Sequence, residues 1–129
     1  MTEAVWLTVE IVKALHDQSL EMYGGLPGIR DAGQLESAVA RPLNLIAYGE
    51  PSIFELAASY AYGIARTHPF SDGNKRAALM AADVFLKLNG WDLWAPPADA
   101  TVTFLALAAG TLSESELAAW LEHGCVRLT

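Results

Sequence analysis

His68, Asp72 and the run Gly73-Asn74-Lys75-Arg76 stand within nine positions of one another in a chain of 129 residues. Histidine titrates near neutral pH and can take a proton from an attacking hydroxyl as a general base. An aspartate beside phosphate suits Mg²⁺, which takes one or two carboxylates and completes its octahedron with phosphate oxygens and water. The apolar run Ala77-Ala78-Leu79-Met80-Ala81-Ala82 follows directly, so Gly73 to Arg76 reads as the opening of a helix. There, unpaired backbone N–H groups and the positive end of the macrodipole form an anion site, and Gly73 lets a ligand approach the backbone. Consecutive side chains in a helix interior diverge by about 100°, whereas in the first turn Asn74, Lys75 and Arg76 can fan around one anion on the axis.

Each residue also has a plainer role open to it. Asn74 can cap the helix with Lys75 and Arg76 as solvated charges, and Asp72-Gly73 is a common turn pair. Arg66, two residues before the histidine, either contacts phosphate or favours the C-terminus of the preceding helix electrostatically. Phe70 reads as an apolar anchor that keeps its neighbours still. His16 and His123 have no polar company nearby in sequence and are assigned to structure.

The elements that must position this stretch are helical. Thr8 caps a first helix whose apolar stripe runs to Met22 and ends at Gly24-Gly25. A turn-rich connector covers residues 26–31. Leu35, Ala38 and Val39 mark a shorter second helix that stops near Pro42, and residues 43–51 read as loop or weakly extended. Ser52 and Glu55 have capping-box spacing ahead of the stripe Ile53, Leu56, Ala57, Tyr60, Ala61 and Ile64. This third helix delivers His68 at its end, where Pro69 disfavours helical geometry for the residue before it.

A fourth helix from about Asn74 to Asn89, apolar on most sides, is expected to be the central and most buried one. Residues 91–94 read as a short extended piece with no evident partner. A fifth helix, capped by Asp99 or Thr101, ends at Gly110, and a sixth opens with the box Ser113/Glu116 and ends at Gly124. The expected fold is all-α, a compact bundle of about six helices around a buried central helix, in one domain over residues 1–129.

Composition bounds the partners. A hydrophobic content of 53% points to an unusually complete core or to apolar surface awaiting a partner. The formal charge of −7 opposes direct nucleic-acid binding, which needs a basic footprint. No apolar run reaches the roughly 18 residues a membrane span needs, and the N-terminus lacks a signal pattern, so a cytoplasmic location is expected. Cys125 is the only cysteine and excludes an internal disulfide.

Taken together, residues 68–76, His-Pro-Phe-Ser-Asp-Gly-Asn-Lys-Arg, resemble the signature of the Fic/Doc superfamily, and within it the Doc (death-on-curing) toxin branch. That motif reads His-x-Phe-x-Asp-(Ala/Gly)-Asn-Lys-Arg. Leu15-His16-Asp17, residues 23–28 and Phe85-Leu86 before Asn89-Gly90 extend the likeness over the chain. The resemblance implies a compact helical fold that uses ATP with Mg²⁺ to modify a hydroxyl on a target protein. His68 would be the general base, with Lys75 beside it in the reaction. Asp72 would be the magnesium ligand, and Gly73, Asn74, Lys75 and Arg76 the phosphate cradle. In the Doc branch the implied reaction is transfer of the γ-phosphate to a threonine of elongation factor Tu.

The AMP-transferring Fic branch reads His-Pro-Phe-x-x-Gly-Asn-Gly-Arg-x-x-Arg. Here Lys75 replaces the second glycine and Leu79 the final arginine, departures that favour the kinase. A catalytically silent binding module is the remaining alternative. The chain has no Ser/Thr-x-x-x-Glu-Gly/Asn self-restraint motif. Restraint is therefore expected from an antitoxin with a disordered segment that folds on binding, for which Trp6, Trp91 and Trp94 offer anchors. By the same resemblance, residues 43–51 would hold a target-docking flap.

Overall fold

A computed structural model describes residues 4–128. Six helices follow one another: α1 (Val9–Tyr23), α2 (Ala32–Tyr48), α3 (Ile53–Thr67), α4 (Asn74–Leu88), α5 (Pro97–Ala109) and α6 (Glu114–Gly124). Two three-residue strands, β1 (Trp91–Leu93) and β2 (Cys125–Arg127), complete the fold. Four helices start as their sequences dictate. The Thr8 and Asp31 side chains accept the N–H of Ile11 and Gln34, and both capping boxes, Ser52/Glu55 and Ser113/Glu116, are closed in both directions.

The bundle does surround a buried helix, but that helix is α3 and not α4. Eleven of the fifteen α3 residues are buried, against seven of fifteen in α4, and α3 packs on α2, α4, α5 and α6. The reason is charge placement. In α3 the charged residues Glu55 and Arg66 sit in the end turns, whereas α4 carries Lys75, Arg76, Asp83 and Lys87 along a face that needs water. Mid-helix Gly63 lets α2 and α3 approach tightly. A Cβ there would lie 2.9 Å from both the Ala38 Cβ and the Arg41 Cδ.

Pro42 does not stop α2, and residues 43–48 are helical rather than loop or weakly extended. A proline inside a helix costs roughly 3 kcal/mol through its missing N–H and its clash with the preceding turn. Helical geometry beyond it brings Leu45 and Ile46 onto the core, on the same stripe as Leu35, Ala38 and the buried Pro42. Tertiary burial outweighs the local preference.

Two further expectations change. The extended piece at residue 91 has a partner: β1 pairs antiparallel with β2, Asp92 opposite Val126. A partner more than thirty positions away leaves no local trace. Helix α5 begins two residues before Asp99, with Pro97 in its first turn and no side-chain cap, while the Thr101 hydroxyl donates to the Pro97 carbonyl instead. Of the tryptophans, Trp6 packs on Phe85 and Trp91 edge-on to Phe54, both against the core, so only Trp94, 70% exposed, is open to a partner. No helix among the described residues is long and apolar enough to cross a membrane.

Candidate active site

Helix α3 ends on His68, which adopts a left-handed conformation (φ 52°, ψ 60°) while its N–H donates to the Ile64 carbonyl. It is the only non-glycine residue with positive φ among the described residues. Five residues later Gly73, also left-handed (φ 74°), a conformation glycine adopts without strain, sits at the N-cap of helix α4. No side chain caps α4, so the N–H groups of its first turn stay free for a ligand.

The loop between the two helices is held from both sides. Phe70 is buried, and its backbone N–H and carbonyl are both bonded by the Asn74 amide at 3.0 Å. Asn74 is itself buried, so its side chain is committed to shaping the loop, and only its backbone remains for the phosphate cradle. His16, buried within α1, stacks flat on Phe70 at 3.8 Å between ring centres, and its Nε2 donates to the Asp72 carbonyl at 2.7 Å. The assignment of His16 to structure stands, but the structure it serves is this loop.

The connector between α1 and α2 lines the loop's other side. Ile29 and Phe70 form an isolated antiparallel bridge, and Ser71 N–H donates to the Gly28 carbonyl. Arg30 reaches the Thr67 and His68 carbonyls through its guanidinium. Residues 26–31 look like punctuation in the sequence, and only the pairing shows that they belong to the site.

Asp72 is exposed, and the backbone N–H of Leu26 (3.1 Å) and of Gly73 (2.9 Å) donate to its two carboxylate oxygens. These donors, with Arg76 and His16 nearby, hold its pKa below the ordinary carboxylate value. A carboxylate has about four lone-pair positions, so each oxygen keeps one for a cation. No cluster of three or more metal-binding side chains exists among the described residues. The donor set therefore fits a magnesium ion that brings phosphate and water ligands with it, and not a cage built by the protein alone.

A cavity of about 330 Å³ opens at the start of α4, lined by Asp72, Gly73, Lys75, Arg76 and Leu79 on one side and Ala100, Thr101, Phe104 and Leu105 of α5 on the other. Four sequence-predicted residues thus share one wall. His68 is exposed at the far end of the loop and does not line this cavity, nor do Asn74 and Arg66. Arg66 instead lies over the Tyr62 ring at 5.8 Å and against Gly110, where an added Cβ would collide with its guanidinium. This places it at the C-terminal end of α5 and opposes a role in phosphate binding. The contact of Tyr23, whose ring lies 4.7 Å from the Arg76 guanidinium, and the α5 wall are site features that no spacing in the sequence marked.

A model of the Fic/DOC family matches residues 6–86. The chain belongs to the Fic/DOC family. It is similar to the protein kinase doc of Escherichia phage P1, 40% identical over 113 residues that cover 87% of this chain and 89% of that one. It is also similar to the toxin Doc of Mycolicibacterium smegmatis (strain ATCC 700084 / mc(2)155), 43% identical over 74 residues, 55% of this chain and 56% of that protein. The six-helix architecture is consistent with an all-α Fic/Doc fold. The family match takes in the connector, the motif loop and nearly all of α4, but not the α5 wall of the cavity.

Proposed function

We propose that this chain is a toxin-type protein kinase that moves the γ-phosphate of ATP to a hydroxyl, a threonine of a translation factor such as elongation factor Tu. The observation that carries the reading is the cavity wall. Lys75 and Leu79, the two positions that depart from the AMP-transfer pattern, both line it beside the open N-terminus of α4. Lysine there adds a charge and fills space at the helix end. Leucine in place of arginine removes a clamp that an AMP-donating pose would use.

In this reading, His68 takes the proton of the target hydroxyl as its oxygen attacks the γ-phosphorus. The bond from that phosphorus to the β–γ bridging oxygen breaks, and ADP leaves. Lys75, Arg76 and the free N–H groups of the first α4 turn hold the phosphate oxygens in place. Asp72 would hold Mg²⁺, which when bound neutralises charge on the phosphates. The loop is preorganised for this work by His16, Asn74 and the connector, so little ordering remains to be done when substrate binds.

The partner in restraint is an antitoxin segment that folds on binding. The surface we assign to it is a groove of about 570 Å³ between α1, α4 and α5, lined in part by Leu15, Met22, Met80 and Val84. It shares Arg76, Leu79, Ala100 and Thr101 with the cavity, so an occupant would block nucleotide. Toxicity on expression, relieved by a neighbouring open reading frame, is the expected phenotype.

The deciding experiment incubates the protein with bacterial extract and ATP labelled at the α or the γ phosphate. Only γ label should reach the target; α label would make the reaction AMP transfer, and neither label together with harmless expression would make the chain a binding module. His68→Ala should lower transfer by about 10²- to 10⁴-fold with the fold intact. Undiminished labelling by that variant removes His68 from the role.

A further inference from the structure

Arg30 lies outside the cavity wall and touches neither nucleotide nor metal in the roles assigned above, yet it bonds three consecutive carbonyls at the entry to the motif loop. Its Nη2 donates to Thr67 at 2.6 Å, its Nε to His68 at 2.6 Å, and its backbone N–H to Pro69 at 2.8 Å. The middle residue of the three is the strained one. A left-handed histidine crowds its Cβ against the following carbonyl, and a residue before proline relaxes readily to extended geometry. Such relaxation would rotate the His68 carbonyl away from Nε and swing the imidazole with it.

We infer that Arg30 is the positioning residue for His68, holding the left-handed turn from which the imidazole works. The bridge between Ile29 and Phe70 anchors the arginine backbone beside the loop it grips. A planar guanidinium with donors along one edge spans two adjacent carbonyls, which a lysine ammonium cannot do in the same way. The catalytic consequence rests on the proposed role of His68 as general base, but the conformational consequence does not.

The test uses the full chain as wild type, Arg30→Ala, Arg30→Lys and His68→Ala. With histidine rings labelled at Cε1, His68→Ala identifies the His68 signal. In Arg30→Ala that signal should shift or broaden while the His123 signal stays in place. Turnover with γ-labelled ATP and bacterial extract should fall by roughly 10- to 100-fold, with the KM for ATP within about twofold, as expected for a misplaced catalytic group. Added guanidinium ion should restore part of the turnover in Arg30→Ala and none in His68→Ala, and Arg30→Lys should fall between.

A plain helix-capping role predicts something else: a lower melting temperature, with turnover recovered on cooling and no change in the His68 signal. That result would overturn the inference, as would turnover within twofold of wild type or an equal loss of ATP affinity. If Arg30→Ala does not fold, Arg30→Lys carries the same comparison. If the wild type transfers no phosphate, the kinase reading fails, and the His68 signal in the Arg30 variants alone decides whether the arginine holds the turn.

Discussion

Helices α6 and α4 begin in opposite ways. At α6, Ser113 accepts the N–H of Glu116, and the Glu116 carboxylate accepts the N–H of Ser113, a closed exchange within four residues. At α4, the residue in the same place is Gly73, which has no side chain to close anything. The first end spends its donors on stability. The second leaves them free, next to Lys75 and Arg76, on the wall of a cavity.

The carboxylates at the two ends extend the contrast. Glu116 is held below its ordinary pKa by Ser113, its own cap, whereas Asp72 is held down first by Leu26, which lies 46 positions away. Both carboxylates therefore favour the folded state in the same direction. Only at α4 does the effect require the rest of the molecule to be in place, and a charged group prepared by tertiary contacts beside free donors is what separates a site from a cap.

The sharpest way to break this contrast is to remove the cations at α4. Lys75→Ala and Arg76→Ala should each lose about 10- to 100-fold in ATP affinity, the range for a charge-assisted hydrogen bond, with the melting temperature nearly unchanged. Calorimetric titration and a thermal scan on the same samples read both. Equal affinity in either variant would return that residue to the solvated surface.

Ser113→Ala is the converse. It should cost about 1 kcal/mol of stability and leave ATP affinity untouched. A fall in affinity would mean that the two helix starts are coupled, and the contrast would fail. Gly63→Ala tests the same separation inside the bundle. The added methyl has no room against Ala38 and Arg41, so a loss of about 1–3 kcal/mol is expected in chemical denaturation.

The smallest effect is in acid. A depressed folded pKa contributes stability that is present above the unfolded value, 3.8 for Asp72, and is lost as pH falls through the lower folded value. Asp72→Asn should therefore lower stability slightly near neutrality and flatten the acid limb, so that the difference from wild type shrinks as pH falls below about 4. An unchanged acid limb would show that the Leu26–Asp72 bond is not held in solution.

Much of this was legible because the signals are local. Caps at Thr8, Ser52 and Ser113, stops at Gly24 and Gly110, and the exit from α3 at His68 all lie within a few residues of what they control. The misreadings have the opposite character. Pro42 carries a strong local instruction to stop, which the burial of Leu45 and Ile46 overrides. Helix α4 looked central because its apolar run is dense, yet the charges on its other face keep it from the middle.

Within the site, His16 had no polar neighbour in sequence and acquired one, the Asp72 carbonyl, through the fold. Asn74 was expected at the phosphate and turned inward to Phe70. Arg66 had the phosphate or the C-terminus of α3 open to it and lies against Gly110 at the end of α5. In each case a polar side chain had several partners within reach, and packing chose among them.

By itself, the sequence determined the helices, the motif and its order, and hence the chemistry that the loop from His68 to Arg76 can carry. Those properties depend on backbone preference and residue type over short spans. Tertiary structure decided the rest: that a turn-rich connector grips the motif, that α5 supplies the opposite cavity wall, and that His68 is held in a conformation its own backbone disfavours. Bonds across 37 to 56 positions, from Arg30 to Thr67 and from His16 to Asp72, have no periodicity or spacing to announce them, because their cost in chain entropy is met only by the assembled core.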